Sequence, residues 1–271
     1  MHQLRKAAEE ILPQILPVPT SSTLLAIGER YSQYRRYKRS PAPAATRVIE
    51  RALGFTVQNG PFRGMRYPAR NAYSRHAIPK LLGCYEQELH PGLTRLLADE
   101  SYRRFVDIGA AEGYYSVGFA FATGRPVFAF EIDPFERRFS RIMAGANNVE
   151  ERIVLNGWCA PQTLKRICPD RSLIFCDCEG YETELFTADV INSLSHSDFL
   201  IELHPLTQNN SDTDIFLSRF TLTHEIELVA ARQRYAADYP EMVHLRLLDD
   251  QLVSEFRQAG QQWAIATGRS R

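Results

Sequence analysis

The chain has 271 residues, 32 Lys+Arg against 32 Asp+Glu, 44% apolar and 11% aromatic residues, a composition that excludes disordered, collagen-like and mini-protein classes. That length suits one large domain or a domain with a substantial extension, and no stretch approaches the roughly 20 apolar residues of a membrane span. Zero net charge argues against a nucleic-acid or membrane partner, although residues 1–100 carry +7 and residues 101–271 carry −7.

From Leu4 to Leu12 the apolar positions fall at helical spacing, too short a run for a signal peptide, and Pro13, Pro17 and Pro19 end it. A second helix is expected over Ser22–Tyr37, its basic cluster Arg35-Arg36-Tyr37-Lys38-Arg39 read as a solvated face, followed by a Pro41-Ala42-Pro43 linker. A third helix, Ala45–Leu53, leads to a hairpin of Phe55–Val57 and Phe62–Tyr67 turning at Asn59-Gly60, and a fourth helix covers Tyr85–Asp99. Residues 1–100 thus read as a mainly helical extension with one small β hairpin.

Beyond residue 101 the pattern becomes strand and helix in alternation. Strands are expected at Arg104–Ile108, Pro126–Glu131, Arg152–Asn156, Ser172–Cys178 and Asp198–Leu203, and helices at Tyr114–Thr123, Pro134–Ala146, Ala160–Cys168 and Thr183–Ser193. Two more strands, His224–Ala230 and Trp263–Thr267, read as an antiparallel edge. The expected fold is α/β: a Rossmann-like, mostly parallel seven-stranded sheet with helices on both faces, over residues 101–271. Five cysteines without a CxxC pair (Cys84, Cys159, Cys168, Cys176, Cys178) read as reduced, buried thiols of a cytoplasmic protein.

In an open parallel sheet the ligand sits beyond the carboxyl ends of the strands, where strand order reverses. After the first strand comes Asp107-Ile-Gly109-Ala-Ala-Glu-Gly113, whose spacing lacks the glycines of a dinucleotide fingerprint and carries no phosphate-loop lysine. Asp107 favours a cationic or donor-rich ligand end. Glu131 follows the second strand, 22 residues past Gly109, where a carboxylate takes both ribose hydroxyls. Together they describe a pocket for a nucleoside with a cationic, amine-bearing tail, the chemistry of S-adenosylmethionine.

The stretches FVDIGAAEGYYSV, VFAFEIDP, LIFCDCEGYETELF and LIELHP resemble the class I S-adenosylmethionine-dependent methyltransferases, and the FkbM-like family in particular, over roughly residues 103–204, with a possible upstream extension in GCYEQEL (83–89). The resemblance implies that Asp107, Gly109, Ala110, Glu112 and Gly113 line the methionine end of the cofactor. It places Glu131 with Ile132 at the ribose and Gly157-Trp158 near the adenine. Asp177, Glu179, Gly180 and Glu182 match the motif after the fourth strand. The middle loop glycine is replaced by Ala111, and the family's frequent basic residue ahead of the strand-four motif is missing.

The implied reaction is O-methylation of a hydroxyl on a sugar, natural product or other small molecule. Asp177 would face the methyl group, His204 would serve as base and Glu179 would orient. Structural readings stand beside these roles: helix N-terminal acids for Glu179 and Glu182, a satisfied histidine for His204, and core roles for His76, Tyr85 and Glu86. Tyr67, Tyr73, Tyr85, Tyr114 and Tyr115 are expected to line an acceptor pocket under the N-terminal segment, and a homodimer is open. No metal is expected, although Asp177, Glu179, Glu202 and His204 can supply ligands to a divalent ion in a metal-assisted variant. The other alternative is a non-catalytic adenosyl-ligand-binding or scaffold protein.

Overall fold

The computed structural model describes residues 42–68, 76–204, 211–255, 257 and 260–269. The expected helices at Leu4–Leu12 and Ser22–Tyr37, the basic cluster at 35–39 and Tyr73 lie outside the described residues. The described part begins with helix α1 (Ala42–Leu53), which takes in part of the expected linker. Then follow α2 (Ala77–Leu82), a 3-10 turn (Gln87–Leu89) and α3 (His90–Ala98). The alternating part runs β1 (Arg104–Ile108), α4 (Tyr114–Thr123), β2 (Val127–Phe130), α5 (Pro134–Ala146), β3 (Ile153–Asn156), α6 (Pro161–Ile167) and β4 (Ser172–Cys176). It continues through α7 (Glu182–Leu185), α8 (Ala188–Ser193), β5 (Asp198–Leu203), α9 (Ser211–Ser218), β6 (His224–Ala230), α10 (Pro240–His244) and β7 (Gln262–Gly268).

The seven strands form one sheet in the order β3-β2-β1-β4-β5-β7-β6. The five strands β1 to β5 are mutually parallel, and β7 runs antiparallel to both β5 and β6. This is the Rossmann-like, seven-stranded architecture expected from the sequence, with the antiparallel edge where the last two strands were placed. Buried parallel strands need apolar residues on both faces, and β1, β2, β4 and β5 satisfy that with near-continuous burial. Alternate residues feed two cores. Phe105, Phe175, Leu200 and Trp263 pack on one face, and Val106, Ile174, Phe199 and Ala264 on the other. The segment ahead of the sheet packs into the first of these, through Ile49, Phe62, Leu81 and Leu93.

Four local expectations are corrected. Asn59-Gly60 does not make a two-residue turn. The two arms do pair, through the antiparallel Thr56–Arg66 bridge and backbone hydrogen bonds from Val57 to Met65, Gly64 to Val57 and Tyr67 to Phe55, but Asn59 lies against the left-handed Gly83 that caps α2, where a Cβ would come within 1.9 Å of the Asn59 carbonyl oxygen. The helix expected from Tyr85 starts only at His90, because Glu86 adopts φ +50°. The helix expected over Thr183–Ser193 is two helices, interrupted where Thr187 caps α8 by accepting from the Val190 amide. Helices α2, α9 and α10 were not anticipated. Four of the five cysteines are buried and the fifth is half-buried, all as free thiols; burial pushes Cys84 and Cys168 up to about 12.

Candidate functional site

Chain connections leave β1 and β4 in opposite directions, so the carboxyl ends of these neighbours open the crevice in which a ligand is expected. Asp107 sits there on β1 and is buried. Its Oδ2 accepts from the Ser116 hydroxyl, while Oδ1 has no hydrogen-bond partner among the described residues. Burial pushes its carboxyl up to about 7; the Ser116 hydrogen bond opposes the rise, and the charges of Asp177 and Glu131 add to it.

The loop after β1 is pinned on both sides. Gly109 and Ala110 donate their amides to the Phe130 carbonyl at 2.9 Å, and the Asp177 amide donates to the Ile108 carbonyl at 2.9 Å. Gly109 has φ +85°, and a Cβ there would lie 1.7 Å from the Asp177 carbonyl oxygen. Only glycine lets the β1 and β4 loops touch in this way. Gly113, at φ +92°, similarly admits Ser140 of α5. Ala111 between them also takes a positive φ, +44°.

Glu112 departs from its expected role. Its carboxylate is buried in an ion pair with Lys80 of α2 and accepts the Tyr67 hydroxyl at 3.0 Å. Burial alone would raise it, but the Lys80 charge and hydrogen bond hold it below the usual carboxylate range. The side chain therefore ties the glycine loop to the N-terminal segment instead of joining Asp107.

After β2, Glu131 is buried and holds the loop: Oε2 accepts the Ala111 amide at 2.8 Å and Oε1 the Asp133 amide at 2.7 Å. Ile132 beside it is exposed. Gly157 follows β3, and the exposed Trp158 packs against Tyr181 from the β4 loop, ring centroids 4.3 Å apart.

Asp177, Glu179 and His204 come together at the ends of β4 and β5. The His204 Nε2 lies 3.6 Å from Asp177 Oδ1 and 3.7 Å from Glu179 Oε2, and Nδ1 meets Glu182 Oε1 at 3.0 Å. Burial lowers the imidazole pKa, but the Glu182 hydrogen bond and the Asp177, Glu182 and Glu179 charges outweigh it, and the net shift is upward. Glu182, buried itself, also accepts the Cys178 amide at 2.9 Å.

Behind Asp177 lies a buried charge network that the sequence did not reveal. Arg257 pairs with Glu86, Glu202 and Glu255, and Arg234 with Glu88 and Glu255. Burial and the Asp177 charge push Glu202 well up. Tyr67, Tyr85, Tyr114 and Tyr115 are buried around Phe62 in an edge-to-face cluster, not spread along a pocket wall. The Tyr115 hydroxyl donates to Glu86. Only GCYEQEL, flagged as an upstream extension, pointed to Glu86; Arg257 carried no local signal.

A buried carboxylate oxygen without a donor, on the central strand and flanked by two further carboxylates, fits a cationic, donor-bearing ligand such as the ammonium and sulfonium of S-adenosylmethionine. No family model matches the chain, and no curated protein matches it. Among solved structures it is similar to a precorrin-6y C5,15-methyltransferase from Geobacter metallireducens (16% identity, 66% of this chain and 87% of that one, TM-score 0.43). A methyltransferase from Geobacter sulfurreducens in complex with S-adenosyl-L-homocysteine (16%, 67% and 89%, 0.44) and an O-methyltransferase from Thermotoga maritima (14%, 67% and 65%, 0.42) are also similar.

Proposed function

We propose that the chain is an S-adenosylmethionine-dependent methyltransferase, FkbM-like in its motifs, that methylates a hydroxyl of a small molecule such as a sugar or natural product. The observation that carries the reading is the buried Asp107 Oδ1 beside Glu131, without a hydrogen-bond partner among the described residues, at the point where strand order reverses. When bound, the cofactor supplies a methyl group already activated on a sulfonium. Asp107 and the Gly109 loop receive the amino-acid end, Glu131 takes the ribose hydroxyls, and Trp158 with Tyr181 borders the adenine.

The protein's share of the chemistry is alignment and proton removal. Alignment of two reactants is worth roughly 7–11 kcal/mol, and a positioned base adds about two to four powers of ten. The cluster of Asp177, Glu179 and His204 lies next to the crevice and is the acceptor side of the site. With Nδ1 committed to Glu182, Nε2 is the imidazole nitrogen that faces an acceptor oxygen. Transfer of labelled methyl from S-adenosylmethionine to a panel of monosaccharides and phenols tests the reading. The expected products are O-methyl ethers, formed by the wild type and lost in Asp107→Ala; label on nitrogen or carbon, or turnover unchanged in that variant, overturns it.

A further inference from the structure

We infer that Asp177, Glu179 and His204 form a binding site for one divalent first-row transition-metal ion. The His204 Nδ1 sits 3.0 Å from Glu182 Oε1, and Glu182 is buried and further held by the Cys178 amide. A carboxylate fixed in this way accepts the Nδ1–H hydrogen bond and, in the neutral ring, leaves the lone pair on Nε2, the arrangement that orients metal-ligating histidines. Nε2 then faces Asp177 Oδ1 at 3.6 Å and Glu179 Oε2 at 3.7 Å, beyond hydrogen-bond range. All three ligand atoms lie within 4.8 Å of one another. An ion about 2.1 Å from each ligand of a tetrahedral set holds them about 3.4 Å apart, and each of the two imidazole–carboxylate gaps lies within a few tenths of an ångström of that spacing.

Two neighbouring clusters are already committed. Glu86 and Glu202, which with Asp177 form a second acidic group, are bridged by Arg257. Cys176 and Cys178 share Glu182, which is taken by His204, and burial raises both thiols; the Cys176 hydrogen bond opposes the rise at Cys178. Among the described residues, the His204 set is the one that joins an imidazole nitrogen to two carboxylates with no Lys or Arg paired to them. A small pocket bounded by Glu182, Glu202, His204, Thr213 and Phe216 adjoins the same histidine. One imidazole with two carboxylates selects Mn2+, Fe2+, Co2+ or Zn2+ over Mg2+ and Ca2+, and three protein ligands leave a position for an acceptor oxygen. Ion binding stands apart from the methyl-transfer reading; only the use of the ion to hold and acidify an acceptor hydroxyl rests on it, with His204 then a ligand and not the base.

The test is Mn2+ titration of the chelator-stripped full chain, by calorimetry and by loss of the free-ion electron paramagnetic resonance signal, with S-adenosylhomocysteine binding measured on the same samples. One Mn2+ per chain is expected, abolished in His204→Gln and weakened about 10–100-fold in Glu182→Gln. Glu179→Gln, at an exposed position, should weaken it also, whereas Cys178→Ser should leave it intact. A folded wild type that binds S-adenosylhomocysteine but no Mn2+ overturns the metal site alone. Mn2+ binding without S-adenosylhomocysteine binding keeps the metal site and removes the cofactor reading. Affinity unchanged in both His204→Gln and Glu179→Gln, or lost in Cys178→Ser, assigns the ion elsewhere and overturns the inference.

Discussion

Ala111→Gly should stabilise this protein, against the usual effect of introducing glycine. Ala111 is half-buried with φ +44°, between Gly109 at +85° and Gly113 at +92°, and its amide is held by Glu131 at 2.8 Å. The left-handed region costs a non-glycine residue roughly 1–2 kcal/mol. Glycine removes that strain but gives the unfolded chain more freedom, worth about 0.4–1 kcal/mol in the opposite direction. Mid-range values leave a gain of ~0.8 kcal/mol, a rise in Tm of about 2–3 °C for a chain of this size. Thermal unfolding followed by circular dichroism measures it, with Gly109→Ala as the contrast: there a Cβ meets the Asp177 carbonyl oxygen at 1.7 Å, and a large loss is expected. A loss of more than about 1 kcal/mol in Ala111→Gly would refute the reasoning, because it would mean that the alanine methyl packs productively and the loop is not strained.

Lys80→Met should cost about 3–5 kcal/mol in urea unfolding, since it leaves Glu112 charged, buried and without its cation; adding Glu112→Gln should recover most of that loss. A single-variant cost below about 1 kcal/mol would contradict the buried pair. Asp107 provides a pH prediction. Its carboxyl is raised to about 7 in the free chain, and a cationic ligand favours the ionised form. Binding below that pH therefore takes up less charge-ready carboxylate and releases a proton, and affinity for S-adenosylmethionine climbs as pH rises through about 7. Asp107→Asn should bind more weakly and flatten that dependence; an equally steep profile in the variant would assign the proton elsewhere.

The sheet was legible because parallel strands buried on both faces must be continuously apolar. Arg104–Ile108 and Asp198–Leu203 stand out as short runs with the expected ends, and Asp107 could be placed because a carboxylate inside such a run is conspicuous. Helix α5 was equally clear, with Asp133 capping and Pro134 at its first position. Elements decided by distant contacts were not legible. The Asn59-Gly60 pair reads locally as a turn, and only the approach of the α2 cap gives it a different use. Glu112 lies in the loop expected at the methionine end, and its partner Lys80 is 32 residues away in an unanticipated helix. Arg257 reaches Glu86 across 171 residues of sequence, a pairing that no periodicity encodes. Asp177, Glu179 and His204 could be singled out because they lie in the motif stretches at the ends of the fourth and fifth strands, whereas the tie from Glu182 to Nδ1, which sets the chemistry of His204, required the fold.

The most direct test of the central claim is calorimetric titration of the full chain with S-adenosylmethionine and S-adenosylhomocysteine, with NAD as the contrast and Glu131→Ala alongside. The account predicts saturable binding of both adenosyl ligands, none of NAD, and a loss of roughly tenfold or more in the variant, the value of hydrogen bonds from ribose hydroxyls to a charged acceptor. A folded wild type that binds neither adenosyl ligand, or a Glu131→Ala chain that binds them as tightly as the wild type, would contradict it.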